Sequence, residues 1–559
     1  MKFSKIPYVH LEYSEVSKKL ANLIENFKNS KNANEAMENY NKVYNYADFI
    51  KTMFAISYIR NSMNTTDEYY SKEFTHGYEM QPKFQAMFQD MITATLETPF
   101  RKELEEKWGK LIFINEELAL KTVSPEVIED LQEENKLVTE YDKLMASAKI
   151  QFDGKELNFS QIAAYGNDLS EDVRKSALVA RGNWFKENIQ EFDRIFNELT
   201  KIRTNIAKKL GYENFVELGY NRMKRNCYDS KMVAEFRKGI LEHIVPIVTK
   251  FKEAQAKRIN SDFPLKLFNS TLKYLDGNAK PIGTEQDLLN HAKKMYEELD
   301  PVTGEFFNML LENELLDVTT RPNKSVGGYC YGLREFKVPF VFANFNGTSA
   351  DVEVLTHEIG HAFADYMAKD LVPSLLKEYT FDIAEIHSMS MEFLTWNWMN
   401  GFFGEQTQKF YESHLSGALG LLPYVSMVDE FQHGIYEKPN MTVDERNSYW
   451  AELEKKYMPF QDSSGLPFYG EGRQWQQQIH IYKMPFYYID YALAQVVALY
   501  FWSEAQENHD KAWDKYKKLI NYAGTKTFLE LIEEVGLPNP FVSDNLKIIA
   551  DAVSKWLEK

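Results

Sequence analysis

Cysteine is nearly absent from this 559-residue chain, which has only Cys227 and Cys330. Neither has the spacing of a redox or structural-metal pair, so a disulfide framework is excluded and a reducing cytoplasm is the expected setting. An excess of positive charge is also missing. A net charge of -17 and an isoelectric point near 5.3 argue against nucleic acid or an anionic membrane surface as partner. No apolar run approaches the roughly 20 residues that cross a bilayer, and the opening stretch MKFSKIPYVHLEYSEV lacks the continuous apolar core of a secretion signal. Internal repeats and low-complexity linkers are absent as well. What remains is 44% hydrophobic and 26% charged, the balance of a large soluble protein with ample core in two or more subdomains.

Most of the chain carries helical periodicity and helix-end signals. Thr65 with Glu68 and Thr442 with Glu445 read as capping boxes, Ser124-Pro125 places proline in a first helical turn, Thr284 caps a further helix, and Gly154 marks a turn. Residues 1–195 are expected to form a helical N-terminal lobe or lid, and residues 196–559 the domain that carries the chemistry. Arg222, Lys224 and Arg225 read as a basic surface cluster. The period changes in SVGGYCYGL (Ser325–Leu333) and VPFVFANF (Val338–Phe345), which are rich in aromatic and β-branched residues and form an expected extended pair. Pro339 favours an edge position, and an open edge there would pair with an extended peptide. The glycine-rich stretch QDSSGLPFYGEGR (Gln461–Arg473) is expected to be a mobile loop.

The chemistry centres on DVEVLTHEIGHAFAD (Asp351–Asp365), a His-Glu-x-x-His motif on a helix. Positions four apart differ by roughly 40° and rise about 6 Å, so His357 and His361 can face one metal ion. Glu358 points beside that metal, where a carboxylate can deprotonate an activated water. Thr348 and Asp351 give a capping-box-like start, and Val352, Leu355, Ile359, Ala362 and Phe363 supply an apolar face. Two His and a Glu inside a buried helix need partners, because unpaired polar groups there cost about 1–3 kcal/mol each. Downstream, FDIAEIHSMSMEFL (Phe381–Leu394) offers the third ligand. Glu385 completes an open zinc site of two His and one Glu, with Asp382 expected to orient a ligand imidazole from behind and His387 expected to be a packed core histidine.

Asp351–Phe363, followed by Asp382-Ile383-Ala384-Glu385, is similar to the zinc-site pattern of the thimet oligopeptidase and neurolysin superfamily. Chain length and the later motif PFYYIDY resemble its oligoendopeptidase F branch, including the Pz-peptidase type. The resemblance implies a mostly α, multi-helical, two-lobed metallopeptidase with a small β-sheet beside the zinc helix and a deep substrate channel. It implies one zinc ion per chain, oligopeptide substrates, and hydrolysis of internal peptide bonds by a zinc-activated water with Glu358 as general base. The family pattern of a His followed by clustered Tyr points to His480, Tyr488 and Tyr491 as donors to the negative charge that develops on the scissile carbonyl oxygen, with Tyr482 and Tyr487 as further candidates. Two other classes share these features: a zinc carboxypeptidase, which needs a fixed cation at the substrate carboxylate, and a non-catalytic peptide-binding protein with a structural zinc, which would normally close the site with four protein ligands.

Overall fold

The computed structural model describes residues 1–558. Helices dominate, and the only sheets among the described residues have two or three short strands. The chain packs as two compact units, each assembled from three separate stretches: residues 1–120, 280–407 and 504–537 form one, and residues 121–279, 408–503 and 538–559 the other. The expected boundary at residue 195 falls inside the helix Ile189–Lys209. No helix is long and apolar enough to cross a membrane among the described residues.

In the first unit, the helices Tyr13–Lys28, Ala33–Met63 and Glu68–Glu97 pack on one another. The third of these is capped by Asp67, whose carboxylate accepts from the N–H groups of Tyr69 and Tyr70, so the cap sits on a residue between Thr65 and Glu68. Thr65 instead donates its hydroxyl to the Asn323 carbonyl. The boxes at Thr442 with Glu445 and at Thr284, here with Asp287, form as their sequences predict.

The extended pair forms from Tyr329–Leu333 and Val338–Phe342, antiparallel and joined by a turn in which Lys337 has a φ of 55°. A third strand not foreseen in the sequence, Leu316–Asp317, pairs parallel to Val338–Phe342 and makes that strand the centre of the sheet. Pro339 thus lies in a central strand. The N–H groups of Val341 and Ala343 reach the carbonyls of Leu315 and Asp317; by alternation the nitrogen of Pro339 faces the same side, beyond the end of the two-residue strand, so no ladder bond is lost. Tyr329–Leu333 is the open edge. Tyr329 and Tyr331 lean on Tyr58, with ring centroids 5.1 and 5.4 Å away, while Gly328 and Gly332 turn to the helix Ala350–Ala368, where a Cβ at 332 would meet the Asp365 carboxylate at 2.7 Å.

The second unit is built around an aromatic core that includes Phe192, Phe196, Trp450, Trp475 and Tyr482. Helix Ile189–Lys209 feeds it a stripe of Phe192, Ile195, Phe196 and Leu199, the spacing of one helical face. Residues 121–195 are not helical throughout: Ile150–Phe152 and Lys155–Leu157 form a hairpin, and Gly154 takes the positive φ its turn requires. Gln461–Arg473 packs into this core. Phe468 and Tyr469 are buried, and Gly472 is needed because a Cβ there would lie 2.3 Å from the Asn447 carbonyl. Of the basic cluster only Lys224 is exposed, since Arg225 is buried against Asp490 at 2.8 Å and Arg222 pairs with Glu134 at 3.0 Å.

Charge buried in this core is compensated from several sides. Arg203 is fully buried, donates to Glu134 at 2.6 Å and to the Tyr436 hydroxyl at 3.0 Å, and also donates to the Tyr482 carbonyl. Replacing Arg203 by Met strands Glu134 with only the half-buried Arg222, and breaking such a pair costs about 3–5 kcal/mol. Chemical denaturation of Arg203→Met measures this loss, and a change below about 1 kcal/mol contradicts the role assigned to Arg203.

Candidate metal centre and active site

The motif helix Ala350–Ala368 begins after Asn346-Gly347-Thr348-Ser349. Ser349 makes no side-chain cap, and the Thr348 hydroxyl turns back to Asn346. Asp351 instead ties the preceding loop to the first turn: its carboxylate accepts from the N–H groups of Asn346 and Gly347 at 2.8 and 2.7 Å. The helix packs on the sheet with one side and on the helix Phe381–Leu394 with another. The crossing of the two helices is close at Gly360, where a Cβ would lie 2.6 Å from the His387 carbonyl oxygen and 2.7 Å from the Ser388 Cα. Only glycine admits this approach, and the approach brings Glu385 to the two histidines.

The result is a triad of donors. His357, His361 and Glu385 each offer a ligand atom, all within 4.8 Å of one another. Nε2 of His357 lies 3.4 Å and Nε2 of His361 3.6 Å from Oε2 of Glu385. With zinc–ligand bonds of about 2.0–2.1 Å, the edge of a tetrahedron is about 3.4 Å, so the two separations from Glu385 match those of a tetrahedral zinc site. Three protein donors leave a fourth tetrahedral position for water or substrate.

Each donor is held from behind. His357 donates from Nδ1 to Glu392 at 2.7 Å, which leaves Nε2 with its lone pair toward the site. His361 donates to the Ala384 backbone carbonyl. Glu385 accepts from the Ser388 hydroxyl at 3.0 Å. The orienting role expected of Asp382 is filled at His357 by Glu392, whereas the Asp382 carboxylate takes the Thr380 hydroxyl and the Ile383 N–H at the start of its own helix. Glu392 was legible in principle: seven residues turn a helix by roughly 700°, so Glu385 and Glu392 share one face. His387 is a core residue as expected, fully buried with its ring edge-on to Tyr379.

Electrostatics at the site favour a cation. Burial pulls His357 toward the neutral form, but the hydrogen bonds and charges of Glu385 and Glu392 outweigh it and raise its affinity for positive charge. His361 is pushed down to about 4, by burial first and by the charge of His357 second, so its ring is neutral near pH 7 and able to ligate. Glu358, 8% exposed, is pushed up to about 7 chiefly by burial, with His357 opposing and Glu385 and Glu392 adding to the rise. A carboxyl with that affinity can both accept and release a proton near neutral pH. Gly328, just before the edge strand, packs on the motif helix, where a Cβ would crowd the Val354 side chain at 3.2 Å.

His480, Tyr488 and Tyr491 come together in the second unit. His480 lies on the short helix Ile479–Lys483 and stacks on Tyr488 with ring centroids 4.5 Å apart; Tyr487 and Tyr491 stand 5.5 and 6.1 Å from it. The hydroxyls of Tyr487 and Tyr491 are 2.9 Å apart. Tyr482 faces away into the aromatic core, stacked on Tyr141 at 4.0 Å. The turn before helix Ile489–Glu507 is pinned at Phe486, which has a φ of 68°, donates its N–H to Gln432 at 2.8 Å and accepts at its carbonyl from Arg225.

The pattern described as Peptidase family M3 matches residues 165–550, and that of the Peptidase M3 N-terminal domain matches residues 3–123. The chain belongs to peptidase family M3. Its similarities place it on the oligoendopeptidase F branch. It is 24% identical over 253 residues to oligopeptidase PepF of Bacillus subtilis, covering 44% of this chain and 37% of that one. To the chromosomal oligoendopeptidase F of Lactococcus lactis subsp. cremoris it is 22% identical over 366 residues, covering 62% and 58%. The match thus spans between about a third and three fifths of these relatives' lengths. Solved structures match end to end: Pz peptidase A in complex with an inhibitor is 42% identical with a TM-score of 0.92, covering 100% of this chain and 99% of that one. A protein of Bacillus anthracis str. Ames assigned to oligoendopeptidase F is 41% identical with a TM-score of 0.88, covering 100% and 98%. The mostly α M3 fold with a small β-sheet beside the motif helix, expected from the sequence, is the fold observed.

Substituting Glu392 by Gln removes the carboxylate that orients His357. Zinc affinity should fall about 10–100-fold, read by competition with a calibrated chelator, and an unchanged affinity contradicts the role assigned to Glu392.

Proposed function

We propose that this chain is a zinc-dependent endopeptidase that hydrolyses internal bonds of short oligopeptides. The observation that carries the reading is the open triad of His357, His361 and Glu385 with the buried carboxyl of Glu358 on the same helix. These three residues would hold the zinc ion, which when bound supplies Lewis acidity that activates water and polarises a carbonyl near neutral pH.

The remaining steps belong to the chain's own groups. Glu358 takes a proton from the attacking water on its carboxylate and passes it to the nitrogen of the leaving amine, a task suited to a carboxyl held near 7. His480, Tyr488 and Tyr491 are proposed donors to the oxygen that becomes negative, an interaction worth about 2.7–4 kcal/mol per donor in comparable sites. The edge strand Tyr329–Leu333 supports the substrate class. By alternation, Cys330 and Gly332 turn their N–H and C=O groups away from the sheet, free to pair with the backbone of an extended peptide whatever its side chains. Such pairing engages the interior of a peptide and favours endopeptidase over carboxypeptidase action. Cys227 and Cys330 form no disulfide, which fits action in a reducing cytoplasm.

An internally quenched peptide of about ten residues, blocked at both ends, tests the reading with wild type and Glu358→Gln at equal zinc content. Wild type should cut it internally, and the variant should keep its metal but lose about 10²–10⁴-fold in kcat. Equal activity in the two proteins would falsify the role of Glu358.

A further inference from the structure

His480 has two chemically different ring nitrogens, and only one arrangement of its hydrogen makes it a donor. Its Nδ1 lies 2.6 Å from Nε2 of Gln478. An amide nitrogen carries two hydrogens and no lone pair for accepting, so Gln478 donates and Nδ1 accepts. The amide is itself oriented, because the Tyr424 hydroxyl donates to Gln478 Oε1 at 2.9 Å. Tyr424 belongs to the long helix Thr407–Glu437 and sets its ring edge against Tyr488, with centroids 6.1 Å apart. The chain Tyr424 to Gln478 to His480 therefore runs in one direction.

We propose that Gln478 is a positioning residue: by donating to Nδ1 it fixes the His480 ring as the tautomer with hydrogen on Nε2, so that the free side of the ring is a donor and not an acceptor. This rests on the reading above in which His480 donates to developing negative charge. The groups facing the ring are consistent with a neutral imidazole whose tautomer matters. Burial first, and the charge of Lys483 second, hold its pKa down to about 4; Lys483 is itself paired with Asp142 at 2.8 Å. Tyr487, Tyr488 and Tyr491 surround the ring, and burial pushes the Tyr488 hydroxyl up to about 12.

Substitution with Glu reverses the arrangement. A carboxylate at 478 accepts from Nδ1–H, so the neutral ring turns a bare Nε2 outward and the donor is lost. The carboxylate also raises the basicity of the ring, and the imidazolium carries hydrogen on both nitrogens. Donation from Nε2 then returns as the pH falls.

Nitrogen-15 NMR of the histidine-labelled holoenzyme, with His480 assigned by its absence in His480→Phe, reads the tautomer directly. Hydrogen on Nε2 is expected, and hydrogen on Nδ1 or an even mixture overturns the proposal. In kinetics, Gln478→Glu should lower kcat/KM by about 10²–10³-fold at alkaline pH, and its ratio to wild type should climb as the pH falls. Gln478→Leu, which leaves the tautomer unlocked, should show a smaller loss with no such climb. A uniform loss in both variants at every pH indicates a merely structural role and overturns the proposal. Should His480→Phe retain full activity while the wild-type ring holds hydrogen on Nε2, it is the donor reading of His480 that fails; loss of activity in His480→Phe with hydrogen on Nδ1 leaves that reading standing and removes the role of Gln478.

Discussion

The contact between two helices at Gly360 governs the site. His357 and His361 sit on one helix and Glu385 on another, so the triad exists only where the backbones can nearly touch. A side chain at 360 would drive into the backbone of His387 and Ser388 and push the second helix away, carrying Glu385 with it. Displacement of Glu385 away from the histidines by even about 1 Å would widen the 3.4 Å and 3.6 Å separations well past the roughly 3.4 Å edge of a tetrahedral zinc site. Glycine costs a helix about 1 kcal/mol against alanine. At this position the close approach it allows outweighs that cost.

Burial then gives the assembled groups their chemistry. The same low-polarity surroundings act differently on each: they keep His361 neutral, they raise Glu358 to about 7, and they strengthen the pull of Glu385 and Glu392 on positive charge at His357. Three carboxylates and two imidazoles packed together with little solvent are poorly matched to a core, and a divalent cation would resolve the mismatch. The second unit manages buried charge by pairing, with Arg203 and Arg225 each tied to a carboxylate and a backbone carbonyl. Both anchor backbone beside the His480 and Tyr488 segment, so this hydrogen-bonding cluster stands on a rigid base.

Local signals made part of this legible in advance. The motif helix and the candidate donors His357, His361 and Glu385, which the structure brings together, follow from helical spacing and residue type, because a 3.6-residue period fixes which side chains share a face. The capping boxes at Thr284 and Thr442 follow for the same reason. Features that depend on distant chain segments were hidden. The strand Leu316–Asp317 is too short to show a period, and it converts an apparent edge into a central strand around Pro339. Arg225 sits in a basic run that resembles surface, yet its partner Asp490 is 265 positions away. The glycines of Gln461–Arg473 suggested mobility, whereas Gly472 is demanded by the Asn447 carbonyl. Gln478 gave no signal, since a glutamine acquires meaning only from the ring and the hydroxyl placed on either side of it.

The central claim is that His357, His361 and Glu385 together hold one catalytic zinc ion. Crystals grown with zinc and measured on both sides of the zinc absorption edge test it most directly. The account predicts a single anomalous peak within about 2.0–2.2 Å of one nitrogen from each histidine and one oxygen of Glu385, with no fourth protein ligand. A peak elsewhere, or a fourth side chain closing the coordination, would contradict it.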